Sequence, residues 1–229
     1  MTTKGFIFDL DGVIVDTAKY HFLAWKDLAS SLGIPFTEAQ NEQLKGVSRV
    51  ESLNKILTWG NVTMNPEQFS SLMNEKNKAY LTFIDQMTED EILPGVVHLL
   101  DKLLEMGQKI ALGSASKNAK LILEKVNLLG YFDCIVDGNH VSKAKPDPEV
   151  FLRGASGLGL EATQCVVFED AVAGIKAANA AQMISIGIGK SEYLYEADLV
   201  LVGLDHLSDV LLTHVINASS KNSFKINIK

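Results

Sequence analysis

Short apolar runs recur along the chain at Gly5–Leu10, Lys109–Ser114, Cys134–Asp137, Cys165–Phe168, Ile184–Ile188 and Leu199–Val202, and this recurrence limits the fold more than any other feature. Runs of this length are what strands covered on both faces look like, and such strands belong to parallel sheets. Helical patterns fill the later intervals at Val96–Met106, Lys117–Asn127, Pro148–Gly157, Ala171–Ala180 and His206–Val215. The first of them is opened by Pro94-Gly95 and closed by Gly107, with Val97, Leu100, Leu103 and Leu104 on one face. Strand alternating with helix predicts a doubly wound, Rossmann-like α/β sheet.

One interval breaks the alternation. From Thr17 to about Met87 the chain carries helical periodicity alone, at Ala18–Leu32, Glu38–Leu44, Arg49–Leu57 and Pro66–Ile84. This predicts an α-helical cap, residues 17–87, inserted after the first strand of a core made of residues 1–16 and 88–229. The chain is expected to cross between the two at Val15–Thr17 and Thr88–Leu93, and the polar tail Ser219–Lys229 is expected to fray.

Ligands of open α/β sheets bind beyond the carboxyl ends of the strands. Those ends are polar here. The stretch FIFDLDGVIVDT, Phe6–Thr17, stops its apolar run at Asp9 and follows it with Asp11 and Gly12. The second strand runs into Ser114-Ala115-Ser116-Lys117-Asn118, Lys145-Pro146 follows the third, and the fourth ends in Glu169-Asp170. Carboxylates gathered at one edge repel unless a hard cation neutralises them or some keep their protons. Mg²⁺ suits that need, since it takes oxygen ligands and shares phosphate oxygens with a few carboxylates. Ser114 and Lys145 supply the other half of a phosphoryl-transfer site, where catalysis rests on positioning and on neutralising spread charge. Each group also has a plainer reading. Asp9 and Asp11 could form an acidic turn, Glu169-Asp170 could stabilise the start of the next helix, Ser114 or Ser116 could cap one, and Lys145 could be a surface charge.

Lys plus Arg number 21 and Asp plus Glu 28, a net charge of −7 that disfavours nucleic acid and anionic membrane as partners. A small anion then requires cations that converge locally. Met1–Gly5 is too short and too weakly basic for a signal segment and no stretch approaches a membrane span, so a cytoplasmic protein is expected. Cys134 and Cys165 each begin a strand and lack metal-binding spacing, which fits core thiols.

DxDG followed by a threonine, a serine closing the second strand, a lysine before proline and an acidic pair closing the fourth resemble the haloacid dehalogenase-like superfamily over Phe6 to about Val202. The resemblance implies Asp9 as a nucleophile that becomes an aspartyl phosphate and Asp11 as general acid and base. It implies Mg²⁺ held by Asp9, Glu169, Asp170 and the backbone carbonyl of Asp11, with Ser114 and Lys145 on the transferring phosphate. The stretches TAKYHFLAW, LKGVSRVESL, EKNKAY and GSASKN resemble the phosphosugar mutases of that superfamily. This implies interconversion of β-D-glucose 1-phosphate and glucose 6-phosphate, with β-glucose 1,6-bisphosphate as primer and intermediate, by a monomer acting on a small phosphosugar. A sugar-phosphate or phosphoglycolate-type phosphatase is the alternative. Under the mutase reading Arg49, with Ala115, Ser116, Lys117 and Asn118, holds a second phosphate. Gly12, Thr17, Trp25, Lys45, Gly46, Val47 and Ser52 shape the pocket, and His21 with Lys76 links cap closure to Asp11. A phospho-aspartate receiver would also collect acids at strand ends, but it needs no cap.

Overall fold

Why the apolar runs become strands is visible in their burial: every residue of β1 (Gly5–Phe8), β4 (Cys165–Glu169) and β5 (Ile184–Ile188) is buried. The structure, a computed structural model, describes residues 3–224. With β2 (Lys109–Gly113), β3 (Cys134–Val136) and β6 (Leu199–Leu201) these strands form one parallel sheet in the order β3-β2-β1-β4-β5-β6. Side chains alternate across it. Phe6, Phe8, Leu112 and Phe168 enter the larger apolar cluster, whereas Ile7, Ala111 and Val167 enter a second cluster on the other face.

Nine helices clothe the described chain: α1 (Ala18–Ser31), α2 (Glu38–Glu42), α3 (Arg49–Trp59), α4 (Pro66–Ile84), α5 (Val96–Glu105), α6 (Ala119–Lys125), α7 (Glu149–Gly157), α8 (Val172–Ala180) and α9 (Asp209–Asn217). Residues of α5, α6 and α9 pack on the larger cluster and those of α7 and α8 on the second. Helices α1–α4 lie between β1 and β2 and hold an apolar cluster of their own, including Trp25, Leu28, Phe36, Leu53 and Ile56. Burying each such side chain contributes about 1.5–3 kcal/mol. At the base of these helices Ala24, Tyr80 and Ile84 join the larger cluster instead.

Local chemistry sets the helix starts. Asn65 accepts from Gln68 N–H at 2.9 Å and returns its own N–H to the Gln68 side chain at 3.2 Å, with Pro66 opening α4. Val15 bridges Ile92 in antiparallel fashion, Asp16 N–H donates to Glu91 O at 2.9 Å and Leu93 N–H to Ile14 O at 3.0 Å. The outgoing and returning crossings are therefore bonded side by side.

Several sequence expectations shift. The helix expected from Lys117 starts at Ala119, because Ser114 Oγ accepts Ser116 N–H at 3.1 Å and Ser116 Oγ accepts Asn118 N–H at 3.2 Å, holding the preceding backbone as a loop. The helix expected from His206 starts at Asp209, after Ser208 caps Leu211 N–H at 3.3 Å; His206 ends a short 3₁₀ turn. On α5 the buried face is Val96, Leu99, Leu100 and Leu103, while Val97 and Leu104 are exposed. The tail is anchored as far as Phe224, which is buried, and Lys221 Nζ reaches Asn179 Oδ1 at 2.7 Å and pairs with Asp198. The rest of that expected frayed tail, residues 225–229, lies outside the described residues.

Candidate active site

The strand order reverses between β1 and β4, and at such a switch point the strand ends part to leave a crevice. Phe8 is in register with Leu112 on one side and Phe168 on the other, so Asp9 is the next residue beyond both pairs. Its N–H donates to Phe168 O at 2.9 Å, which fixes the backbone from which a buried carboxylate projects. Lys145 Nζ meets Asp9 Oδ1 at 2.5 Å and Glu169 Oε2 at 2.7 Å, and lies 4.8 Å from the Phe151 ring centre. Burial works against the charge on Lys145, but Asp9 and Glu169 outweigh it and hold its pKa above the ordinary lysine range.

One carboxylate oxygen each of Asp9, Glu169 and Asp170 lies within 4.8 Å of the others. Burial, then the charge of Asp9, pushes Glu169 up to about 7. Burial, then the charges of Glu169 and Asp9, pushes Asp170 well above the usual carboxylate range. Acids that resist ionisation together beside a single buried lysine fit a hard divalent cation, whose charge would remove the repulsion. Gly12, at φ +81°, turns the chain against this cluster, and a Cβ there would run into the Asp170 carboxylate. Glu169 also accepts Ala171 N–H at 3.0 Å, so its expected alternative role at the helix start is combined with the cluster.

Asp11 is half-buried and accepts a hydrogen bond from Thr17 Oγ1. Burial, then Asp9, raises its pKa to about 6 against the opposing pull of Thr17, Lys76 and Lys145. His21 Nε2 stands 3.9 Å from Asp11 Oδ2, and its Nδ1 lies 2.9 Å from Lys76 Nζ. Burial, then the charges of Lys76 and Arg49, keeps His21 neutral, well below the usual histidine range. A charged Lys76 can only donate, so opposite the ammonium the neutral ring accepts through Nδ1 and its proton sits on Nε2, facing Asp11. Lys76 is buried, with its ammonium 4.7 Å from the Trp25 ring centre and 4.5 Å from that of Tyr80. Burial, then Arg49, lowers its pKa to about 7, with Asp11 opposing.

Above the sheet edge, the turn between α2 and α3 carries Lys45, Gly46, Val47 and Arg49 into the same space. Ser48 caps α3 by accepting Glu51 N–H at 3.3 Å, which places Arg49 at the helix start. Gly46 has φ +68° and comes so close to the core that a Cβ would meet Ala171 Cβ at 2.8 Å. Lys45 Nζ lies 3.6 Å from Asp170 Oδ2. Opposite, Ser114 is buried and donates its N–H to Val136 O at 2.9 Å, while Ser116, Lys117 and Asn118 rim the opening.

These groups enclose a cavity of about 480 Å³, within the usual range for small-molecule sites. Every sequence-predicted site residue lines it except Thr17 and Glu169, which stand behind the wall in contact with Asp11 and Lys145 respectively. Sequence reasoning missed Tyr80, whose ring stacks on His21 at 4.3 Å; its spacing of one helical turn from Lys76 was the available signal. It also gave no role to Val136–His140. In the structure Asn139 Nδ2 donates to Lys117 O at 3.0 Å and Gly138 N–H to Ser116 O at 3.2 Å, with Asp137 buried beneath, so this turn props the loop from Ser114 to Asn118.

The family model for haloacid dehalogenase-like hydrolases matches residues 3–182. A β-phosphoglucomutase from Bacillus subtilis is 44% identical over 201 residues, covering 86% of this chain and 88% of that protein. A crystal structure of β-phosphoglucomutase from Clostridium difficile superposes with a TM-score of 0.91 at 42% identity, covering 94% of this chain and 98% of the other. A fructose-1-phosphate phosphatase from Escherichia coli is 33% identical over 184 residues, 80% of this chain and 95% of that protein.

Proposed function

The chain belongs to the haloacid dehalogenase-like hydrolase family, and from that premise we propose that it is a phosphosugar mutase that interconverts β-D-glucose 1-phosphate and glucose 6-phosphate. The observation that carries this reading is one cavity with anion-binding groups on both walls: Ser114 and Lys145 beside Asp9 on the core side, Arg49 on the helical side, and Lys117 and Asn118 at the opening. A hydrolase needs to hold one phosphate. A mutase must hold a bisphosphate in either orientation, and the guanidinium fork of Arg49 suits the second.

Residues 17–87 act as the cap and close over the core. Asp9, carrying the phosphoryl group as an aspartyl phosphate, gives it to the 6-hydroxyl of β-glucose 1-phosphate; the acyl-phosphate bond breaks as the new O–P bond forms, and Asp11 takes the hydroxyl proton. The resulting β-glucose 1,6-bisphosphate turns end for end. Asp9 then attacks the 1-phosphate, Asp11 returns the proton to the leaving oxygen, and glucose 6-phosphate departs from a rephosphorylated enzyme. Lys145 and Ser114 hold the phosphate oxygens during each transfer, and Lys145 keeps Asp9 aimed. Asp9, Glu169, Asp170 and the Asp11 carbonyl would hold Mg²⁺, which when bound supplies positive charge against the transferring phosphoryl oxygens. A pKa near 6 suits Asp11 to both proton donation and acceptance around neutrality.

Among the described residues no helix is long and apolar enough to cross a membrane. The deciding experiment incubates the protein with Mg²⁺, β-glucose 1,6-bisphosphate and either anomer of glucose 1-phosphate. Glucose 6-phosphate from the β anomer alone is the expected product. Free sugar and inorganic phosphate in its place would move the protein to the phosphatases, the class of its E. coli relative.

A further inference from the structure

Helix α4 is touched from both ends of α6. At one end Lys125 Nζ lies 3.1 Å from Asp85 Oδ1 and 3.4 Å from Asp85 O, close to the returning crossing at residues 88–93. At the other, Asn118 Nδ2 donates to Asn77 Oδ1 at 3.0 Å. The first contact sits beside the hinge, where rotation of the cap displaces atoms little. The second sits over the cavity mouth, and it must break whenever the cap lifts.

Asn118 is not an ordinary partner for such a contact. It precedes α6 as the last residue of the loop that starts at Ser114, it lines the cavity, and its backbone N–H is held by Ser116 Oγ at 3.2 Å. Its side-chain amide has two N–H donors. With one engaged by Asn77, the plane of the amide is set and the second donor is left for a ligand. Asn77 in turn is held in place by its neighbours: Lys76 is buried against His21, Trp25 and Tyr80, and Met73 lines the same cavity from the preceding turn.

We infer that Asn77 is a positioning residue that latches the cap to the phosphate-facing loop, orienting the Asn118 amide only while the cap is shut. Capture of the second phosphate and exclusion of water are thereby joined in one hydrogen bond. This rests on the phosphoryl-transfer reading of the site. An aspartyl phosphate beneath a cap that stays shut reacts with the sugar, and one beneath a cap that lifts reacts with water.

A double-mutant cycle with Asn77→Ala, Asn118→Ala and the pair tests it. The readouts are kcat/KM for β-glucose 1-phosphate, the ratio of hydrolysis to transfer, and the thermal midpoint. One neutral hydrogen bond corresponds to about a fivefold effect. Asn77→Ala is expected to lower kcat/KM by about that factor, to raise the hydrolysis ratio, and to leave the midpoint within about 2 °C. In the pair, Asn77→Ala should cost almost nothing further once Asn118 is gone. Additive losses, an unchanged hydrolysis ratio, or a lowered midpoint with an unchanged ratio would each overturn the assignment. The wild-type product separates this test from that of the function: if the wild type only hydrolyses, the mutase reading fails, while the cycle still reports on the latch through kcat/KM for hydrolysis.

Discussion

Lys76 shows how much one buried charge can depend on its surroundings. Its pKa falls from 10.5 to about 7 because burial, and next to that Arg49, disfavour the ammonium. Between those two values the unfolded chain binds a proton that the folded one has released, so this group favours folding at high pH and that contribution is lost as pH falls through 7. Lys76→Met keeps the length of the side chain and removes the charge. We expect its thermal midpoint to exceed that of the wild type at pH 6.5 and the gain to shrink toward pH 10, with transfer activity reduced at both. A gain that grows with pH would contradict the placement of Lys76 between Arg49 and His21. Nothing in the sequence forecast this burial. A lysine on a helix with charged neighbours reads equally well as a solvated one, and only the aromatic floor made by Trp25 and Tyr80 removes it from water.

At the level of elements, the parts of the site were legible to different degrees for a physical reason. Residues that close strands are placed by the sheet, so Asp9, Ser114 and the Glu169-Asp170 pair could be gathered at one edge from apolar runs alone, whereas Lys145 lies nine residues beyond β3 and reaches that edge from a loop. Residues on the cap are placed by packing between helices, which periodicity leaves open; Arg49, His21 and Lys76 entered through resemblance, and Tyr80, Asn77 and Asp137 did not enter at all. Helix starts failed where hydroxyls competed with the helix for backbone N–H groups, as at Ser114 and Ser116. The α2–α3 turn gives a test at this scale. Gly46→Ala puts a Cβ at φ +68° and against Ala171, a backbone cost of about 1–2 kcal/mol before any clash is counted. Denaturant unfolding should register that loss, and KM for the phosphosugar should rise because the turn can no longer settle on the core.

For the whole molecule, the net charge of −7 coexists with a cavity lined by Lys45, Arg49, Lys76, Lys117 and Lys145, so an overall charge that disfavours polyanions is combined with a local cluster of cations suited to a small one. The acid cluster on the cavity floor ties global stability to metal and pH. Glu169 at about 7 and Asp11 at about 6 are both raised, so the folded protein keeps protons that the unfolded chain has lost, and metal-free stability declines as pH climbs from about 4 through 7. Mg²⁺ competes with those protons, and its stabilising effect should be larger at pH 8 than at pH 5.5. Thermal scans with Mg²⁺ and with a chelator at the two values check this; an equal shift at both would separate the cluster from metal binding. The pairing of the two crossings, Val15 against Ile92, carries a last consequence. Two ribbons stitched together flex about their common line and resist twisting, so the closure proposed for residues 17–87 would follow a single arc, like a door on its hinge. On the proposed function, such a joint would bring it back to the same jamb after every turnover, whichever end of the sugar is presented.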